Sequence, residues 1–227
     1  MTVIARRLQE VRYRIAAACA RARRDPASVT LVAVSKTVPV EAVREALAAG
    51  QAVFGENRVQ EAVAKIDQLG PRARWHLVGH LQRNKARHAV GRFELIHSVD
   101  DAELARELDR RAGAAARVQP VLVQVNLSRE PTKTGTEEEG LAPLVDAVAA
   151  LDHLDLRGLM TIPPPVEVAE ASRPWFAKLR EVRDRAAVRV GRELPDLSMG
   201  MTDDFEVAVE EGATLVRVGR AIFGERP

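Results

Sequence analysis

The sequence predicts an α/β protein built as a single (β/α)8 TIM-type barrel with an extra N-terminal helix. Three observations carry this. Short β-branched runs alternate with Ala/Glu/Arg-rich stretches of helical period, the order that gives a parallel sheet. Eight such units can be counted. The length of 227 residues suits one closed α/β domain, so 1–227 is expected to be one barrel. An open doubly wound sheet is the other arrangement of the same alternation.

Residues 2–24 come before the alternation. Ile4, Leu8, Val11, Ile15, Cys19 and Ala22 recur there at three- and four-residue spacing, one apolar stripe on a helix. Asp25 and Pro26 are expected to stop it. Strands are then predicted at 29–35, 52–54, 74–78, 94–98, 120–126, 156–160, 196–198 and 214–218. Helices are predicted between them near 39–49, 57–68, 82–90, 101–113, 137–150, 169–190 and 203–211, with a short one after Gly219. Closing the strands on themselves leaves no sheet edge to protect. The prolines at 163–165 form a stiff loop after the sixth strand. Asp203 and Asp204 open the helix after the seventh, where capping and the helix dipole account for them.

Composition narrows the function classes. The apolar fraction of 46% and charged fraction of 29% are those of an ordinary folded globule. No apolar run approaches the ~20 residues that cross a bilayer, and none follows Met1 as a secretory signal would, so a cytoplasmic protein without membrane attachment is expected. The net charge of +2 and the scarcity of aromatics near the Arg-dense segments argue against nucleic acid as a partner. Cys19 is the only cysteine, and the five histidines show no ligand spacing, so neither a disulfide nor a metal site is expected.

In such barrels the active groups lie at the C-terminal ends of the strands. The first strand ends at Lys36, the second at Glu56 and Asn57, the third at Gly79 and His80, and the sixth at Met160. The seventh ends at Ser198 and the eighth at Arg217, Gly219 and Arg220. Of five lysines, against 29 arginines, only Lys36 directly follows an apolar strand. A lysine held at an apolar barrel mouth can have its amine pKa lowered by desolvation and neighbouring cations, which frees the amine for imine chemistry; a salt-bridged rim lysine is the plainer reading. Glycine turns after strands seven and eight suit a phosphate cradle, with Ser198 adding a hydroxyl, although tight turns alone also call for glycine. Arg217 sits between Val216 and Val218, so it points to the opposite face, the barrel interior. An interior arginine beside a pyridine nitrogen would keep that nitrogen unprotonated; pairing with a carboxylate is the structural alternative.

These residues fall in seven segments: LVAVSKT at 31–37, FGENRVQE at 54–61, WHLVGHLQRNK at 75–85, IHSVD at 96–100, GLMT at 158–161, LSMGMTDD at 197–204 and VRVG at 216–219. With them in this order, the chain resembles, nearly end to end, the pyridoxal phosphate homeostasis protein family, relatives of the N-terminal barrel of bacterial alanine racemase. The resemblance implies a monomeric, alanine racemase N-terminal-domain-like barrel that holds pyridoxal 5′-phosphate (PLP) as a Schiff base. It also implies a part in vitamin B6 supply, by storage or delivery, with PLP-dependent apoenzymes as candidate recipients. By the same resemblance Lys36 is the Schiff-base lysine and Arg217 the partner of the pyridine nitrogen. Ser198, Gly219 and the backbone at Arg220 form the phosphate site, and Asn57 and Met160 flank the ring. One departure stands out: relatives often carry a small hydroxyl residue where this chain has Arg220, so a phosphate contact is lost unless the guanidinium replaces it.

No catalytic reaction is expected. A PLP racemase needs acid–base groups on both faces of the substrate, the second being a tyrosine in alanine racemase, and the only tyrosine here, Tyr13, lies outside the barrel alternation. Two other classes remain open: a racemase-like PLP enzyme acting on amino acids, and a barrel aldolase or phosphosugar enzyme that uses Lys36 without PLP.

Overall fold

The computed structural model describes residues 1–225. Eight parallel strands close into a barrel in sequence order: β1 (Thr30–Val34), β2 (Val53–Glu56), β3 (Arg74–Leu77), β4 (Leu95–Val99), β5 (Gln119–Gln124), β6 (Leu154–Met160), β7 (Asp196–Ser198) and β8 (Leu215–Val218). The last strand returns to the first, with Leu215 beside Thr30 and Arg217 beside Val32. The helices are α1 (Val3–Arg21), α2 (Val40–Ala48), α3 (Val59–Leu69), α4 (Ala86–Ala89), α5 (Ala102–Ala114), α6 (Glu138–Ala149), α7 (Arg173–Val190), α8 (Phe205–Glu210) and α9 (Arg220–Phe223).

The period of two along each strand separates two cores. Leu31 and Ala33 of β1, and Val216 and Val218 of β8, face the helices and join the large outer core. Val32, Val34, Val53, Val78, Leu95, Leu122, Met160 and Leu215 face inward and fill the barrel. Arg217 lies two residues beyond Leu215 on the same inward face. The extra helix α1 buries Leu8, Val11, Ile15, Ala18 and Cys19 and packs against α8, α9 and α2.

Several boundaries differ from the sequence reading. Helix α1 ends at Arg21, before Asp25 and Pro26. Arg23 adopts φ 54°, and the Arg23 and Arg24 N–H groups donate to the Ala20 and Cys19 carbonyls, a Schellman closure made without glycine. Asp25 instead caps the short turn Pro26–Ser28, accepting the Ala27 N–H at 2.9 Å. The helix expected at 82–90 is a 3-10 turn, Arg83–Lys85, followed by the single turn of α4, because only Ala86 and Ala89 are buried along it. Asp204 precedes α8 but does not cap it. Its carboxylate turns back to accept the Met201 N–H at 2.7 Å and the Ser172 hydroxyl at 2.9 Å, tying the loop after β7 to the start of α7. Strand β2 runs on to Glu56, where the sequence reading ended it at 54.

Candidate functional site

Lys36 stands two residues beyond Val34, the last residue of β1, in a turn closed by the Val38 N–H donating to the Ser35 carbonyl at 3.0 Å. Thr37 within that turn has φ 61°, a conformation that a β-branched residue adopts only when its surroundings impose it. A buried ionic cluster imposes it. Glu61 of α3 accepts the Thr37 N–H at 2.6 Å. Lys65, one turn further along α3, donates to Glu61 at 2.8 Å, to Glu56 at 2.7 Å and to the Ser35 carbonyl at 2.6 Å. The Ser35 hydroxyl donates to the same Glu56 oxygen at 2.7 Å. Both neighbours of Lys36 are thus anchored to one cluster. Burial pushes the Glu56 carboxyl above its ordinary pKa, and its bonds to Lys65 and Ser35 pull the other way.

Lys36 borders a half-open cavity of about 540 Å³ at the C-terminal mouth of the barrel. Asn57, Arg217, Gly219 and Arg220 also line it, so five of the seven residues singled out from the sequence converge on one space. Asn57 can sit there because its neighbour on β3's exit is glycine: a Cβ at Gly79 would lie 2.5 Å from the Asn57 carbonyl oxygen. Gln124, at the end of β5, holds a loop at the mouth by donating to the Thr134 carbonyl and hydroxyl, both at 2.9 Å.

Arg217 is 4% exposed and donates from Nη1 to the Ser198 hydroxyl at 2.6 Å and from Nη2 to the Thr161 carbonyl at 2.8 Å. Burial lowers its pKa to about 10, which leaves it a cation at neutral pH. Three residues further on, Arg220 opens α9 and pairs with Asp203, with Glu225 at 3.7 Å from its Nε. Its guanidinium is therefore shared with two rim carboxylates.

Ser198 and Met160 do not line the cavity. Ser198 is fully buried lower in the barrel, its hydroxyl between Arg217 and His97 Nδ1, the latter at 2.8 Å. Met160 belongs to the inward apolar core. The hydroxyl residue that lines the cavity at this corner is Thr202, whose Oγ1 accepts from the Ala221 N–H at 3.5 Å in the first turn of α9. The sequence reading gave Thr202 no role, although it lies within the LSMGMTDD segment. A hydroxyl residue four positions beyond a strand end, facing the glycine turn of the next strand, is the signal that could have found it. His80 also lines the cavity, with Nδ1 3.4 Å from Asp100. Burial raises the Asp100 pKa, and His80 opposes that.

A family model described as "Alanine racemase, N-terminal domain" matches residues 7–227. The chain is similar to the pyridoxal phosphate homeostasis protein of Aquifex aeolicus, 48% identical over 221 residues that cover 97% of each chain. That of Pseudomonas aeruginosa is 45% identical over 227 residues, covering 100% of this chain and 97% of the relative. Among solved structures, PipY of Synechococcus elongatus with PLP bound superposes with a TM-score of 0.86 at 43% identity, covering 97% of this chain and 100% of that one.

Proposed function

The chain belongs to the pyridoxal phosphate homeostasis protein family, whose barrel is that of the alanine racemase N-terminal domain, and on that premise we propose that it binds PLP at the barrel mouth and serves PLP homeostasis by storing or delivering it. The observation that carries this reading is the convergence of Lys36 and Arg217 on one cavity that also holds the Gly219 turn and the Thr202 hydroxyl. PLP, when bound, supplies an aldehyde that condenses reversibly with amines and a pyridine ring that withdraws electrons. The residues present fit such a group. Lys36 offers the amine for covalent attachment, and the Glu56–Lys65–Glu61 cluster fixes the turn that presents it. Arg217 offers a cation fixed from below. Gly219, the first N–H groups of α9 and Thr202 offer donors for a phosphate, with Arg220 as further positive charge. Asn57 and Gly79 shape one wall.

The protein acts as a single-domain monomer in the cytoplasm and passes its cofactor to PLP-dependent apoenzymes. A carrier role is supported by the surroundings of Tyr13, which lies on α1 with 70% of its surface exposed and takes no part in the cavity. A racemase-like enzyme is the second reading, and His80 favours it: a cavity-lining imidazole beside a half-buried carboxylate is a constellation suited to proton transfer.

The test is the absorption spectrum of wild type and Lys36→Ala incubated with PLP, followed by borohydride trapping and peptide mass mapping. A shifted cofactor band and a trapped adduct on Lys36, both lost in the variant, are expected. No adduct in the wild type would put a PLP-independent barrel enzyme in front. Steady exchange of the alanine Cα hydrogen in D2O, abolished in His80→Ala, would favour the racemase-like reading.

A further inference from the structure

Below the cavity a file of buried polar side chains crosses the barrel interior. Arg217 Nη1 meets Ser198 Oγ, which meets His97 Nδ1 at 2.8 Å, and His97 Nε2 meets His76 Nδ1 at 3.0 Å. His76 borders a second cavity, of about 310 Å³, lined by residues at the N-terminal strand ends such as Thr30, Arg74 and Asp196. His97 and Ser198 are fully buried, and His76 is 5% exposed.

Counting donors fixes the direction of the file. A guanidinium only donates, so the Ser198 oxygen is an acceptor from Arg217 and has one proton of its own to place. Its remaining close neighbour is His97 Nδ1, which must accept that proton. The His97 proton is then on Nε2 and bridges to His76 Nδ1, which puts the His76 proton on Nε2 at the lower cavity. The reverse direction would leave the Ser198 hydroxyl proton unplaced where no solvent reaches, a costly arrangement.

We propose that Ser198, His97 and His76 form a one-way hydrogen-bond chain that positions Arg217 through neutral groups, so that no carboxylate is hydrogen-bonded to its guanidinium. Asp204 acts on it only through space. Its other hydrogen-bond partner, the Thr161 carbonyl, is also neutral. Burial keeps both imidazoles uncharged: it lowers His76 to about 3, with Arg74 adding to the effect, and takes His97 well below its ordinary value, with His76 and Arg217 adding to it. A charged imidazole would repel Arg217 and break the chain; a carboxylate in its place would cancel the cation. The cation so held disfavours protonation of a basic ring nitrogen beside it, which weakens the ring as an electron sink and suits a protein that keeps a reactive aldehyde without turning it over. This last step rests on the reading of the upper cavity as the PLP site.

Two measurements test the proposal. Nitrogen-15 NMR of histidine-labelled, cofactor-free protein at neutral pH is expected to show His76 and His97 both neutral with the proton on Nε2. A proton on His97 Nδ1, or a charged ring at either position, would overturn the direction of the chain. Ser198→Ala removes the link without adding volume, and Ser198→Thr restores the hydroxyl. PLP affinity is expected to fall about tenfold in the first, with a displaced cofactor band, and to recover in the second, the size of effect that follows from freeing one charge-assisted bond. An unchanged band and affinity in Ser198→Ala would overturn the positioning role. Failure of the wild type to take up PLP would overturn the cofactor reading and the positioning role with it, while the NMR result would still report on the chain itself.

Discussion

The ammonium of Lys65 lies 2.6 Å from the carbonyl oxygen of Ser35, the residue immediately before Lys36. Through this bond, and through Glu61 on the other side at Thr37, the second helix-after-strand unit sets the backbone of the first. Lys65 and Glu56 are both buried, so the pair is costly to form and more costly to break from one side.

Lys65→Met therefore leaves Glu56 buried without its cation and should lower stability by about 3–5 kcal/mol, read by urea denaturation. Adding Glu56→Gln should recover a large part of that loss. A Lys65→Met protein as stable as the wild type would mean that the cluster does not hold the turn.

Gly79→Ala would place a methyl group 2.5 Å from the Asn57 carbonyl and 2.7 Å from its Cα. Both contacts are backbone, so the wall must move rather than a side chain. PLP affinity should fall about 5- to 150-fold, the equivalent of the about 1–3 kcal/mol that overpacking a wall of the cavity costs, with thermal stability falling as well. Titration of the cofactor band checks the first and calorimetry the second.

Acid stability should depend on the interior imidazoles. His76 and His97 are held below the ordinary value of 6.5, so the unfolded chain takes up protons that the folded chain refuses. The stability they confer is complete above that pH and is lost as pH falls, at about 1.4 kcal/mol per pH unit for each ring. Glu56, with its raised pKa, works in the opposite direction over part of the same range. The informative quantity is thus the difference between His76→Gln and wild type: the variant's denaturation free energy should fall less steeply between about pH 6 and 4.5, by about one proton's worth of slope. Equal slopes would show that His76 is not held neutral.

At the cavity edge near Gly219, proposed above to take a phosphate, the hydroxyl of Thr202 and the guanidinium of Arg220 make different predictions. Arg220 already pairs with Asp203, so Arg220→Ser should change PLP affinity only a few-fold. Thr202→Val removes the cavity-lining hydroxyl and should cost about tenfold, the worth of a hydrogen bond to a charged group. Side-by-side titrations with PLP decide, and the opposite ranking would assign the anion to Arg220.

The barrel was legible because strand and helix periods alternate cleanly, and Arg217 pointed inward because Val216 and Val218 flank it. Depth along the barrel axis was not legible. Ser198 and Arg217 both end strands and both face inward, yet the strand end at 198 is overhung by the loop through Met201 to Asp204, so Ser198 lies under Arg217 and Thr202 takes the rim. Met160 fell the same way, into the apolar interior. The sequence places Glu56 at the mouth end of the second strand, but its burial was not legible, because its stabilisers, Ser35 and Lys65, come from other elements. The early end of α1 depended on an arginine adopting a conformation usually left to glycine.

The return of β8 to β1 has a consequence for synthesis on the ribosome. Lys36 emerges well before Leu215–Val218, yet the strand before it gains its second neighbour only when they appear, and Arg217, Gly219 and α9 arrive in that same stretch. A nascent chain can display the amine long before it has Arg217 or the turn at Gly219. The cavity around Lys36 is completed only when β8 closes the barrel, so until then the amine stands without the walls that β8 and α9 supply.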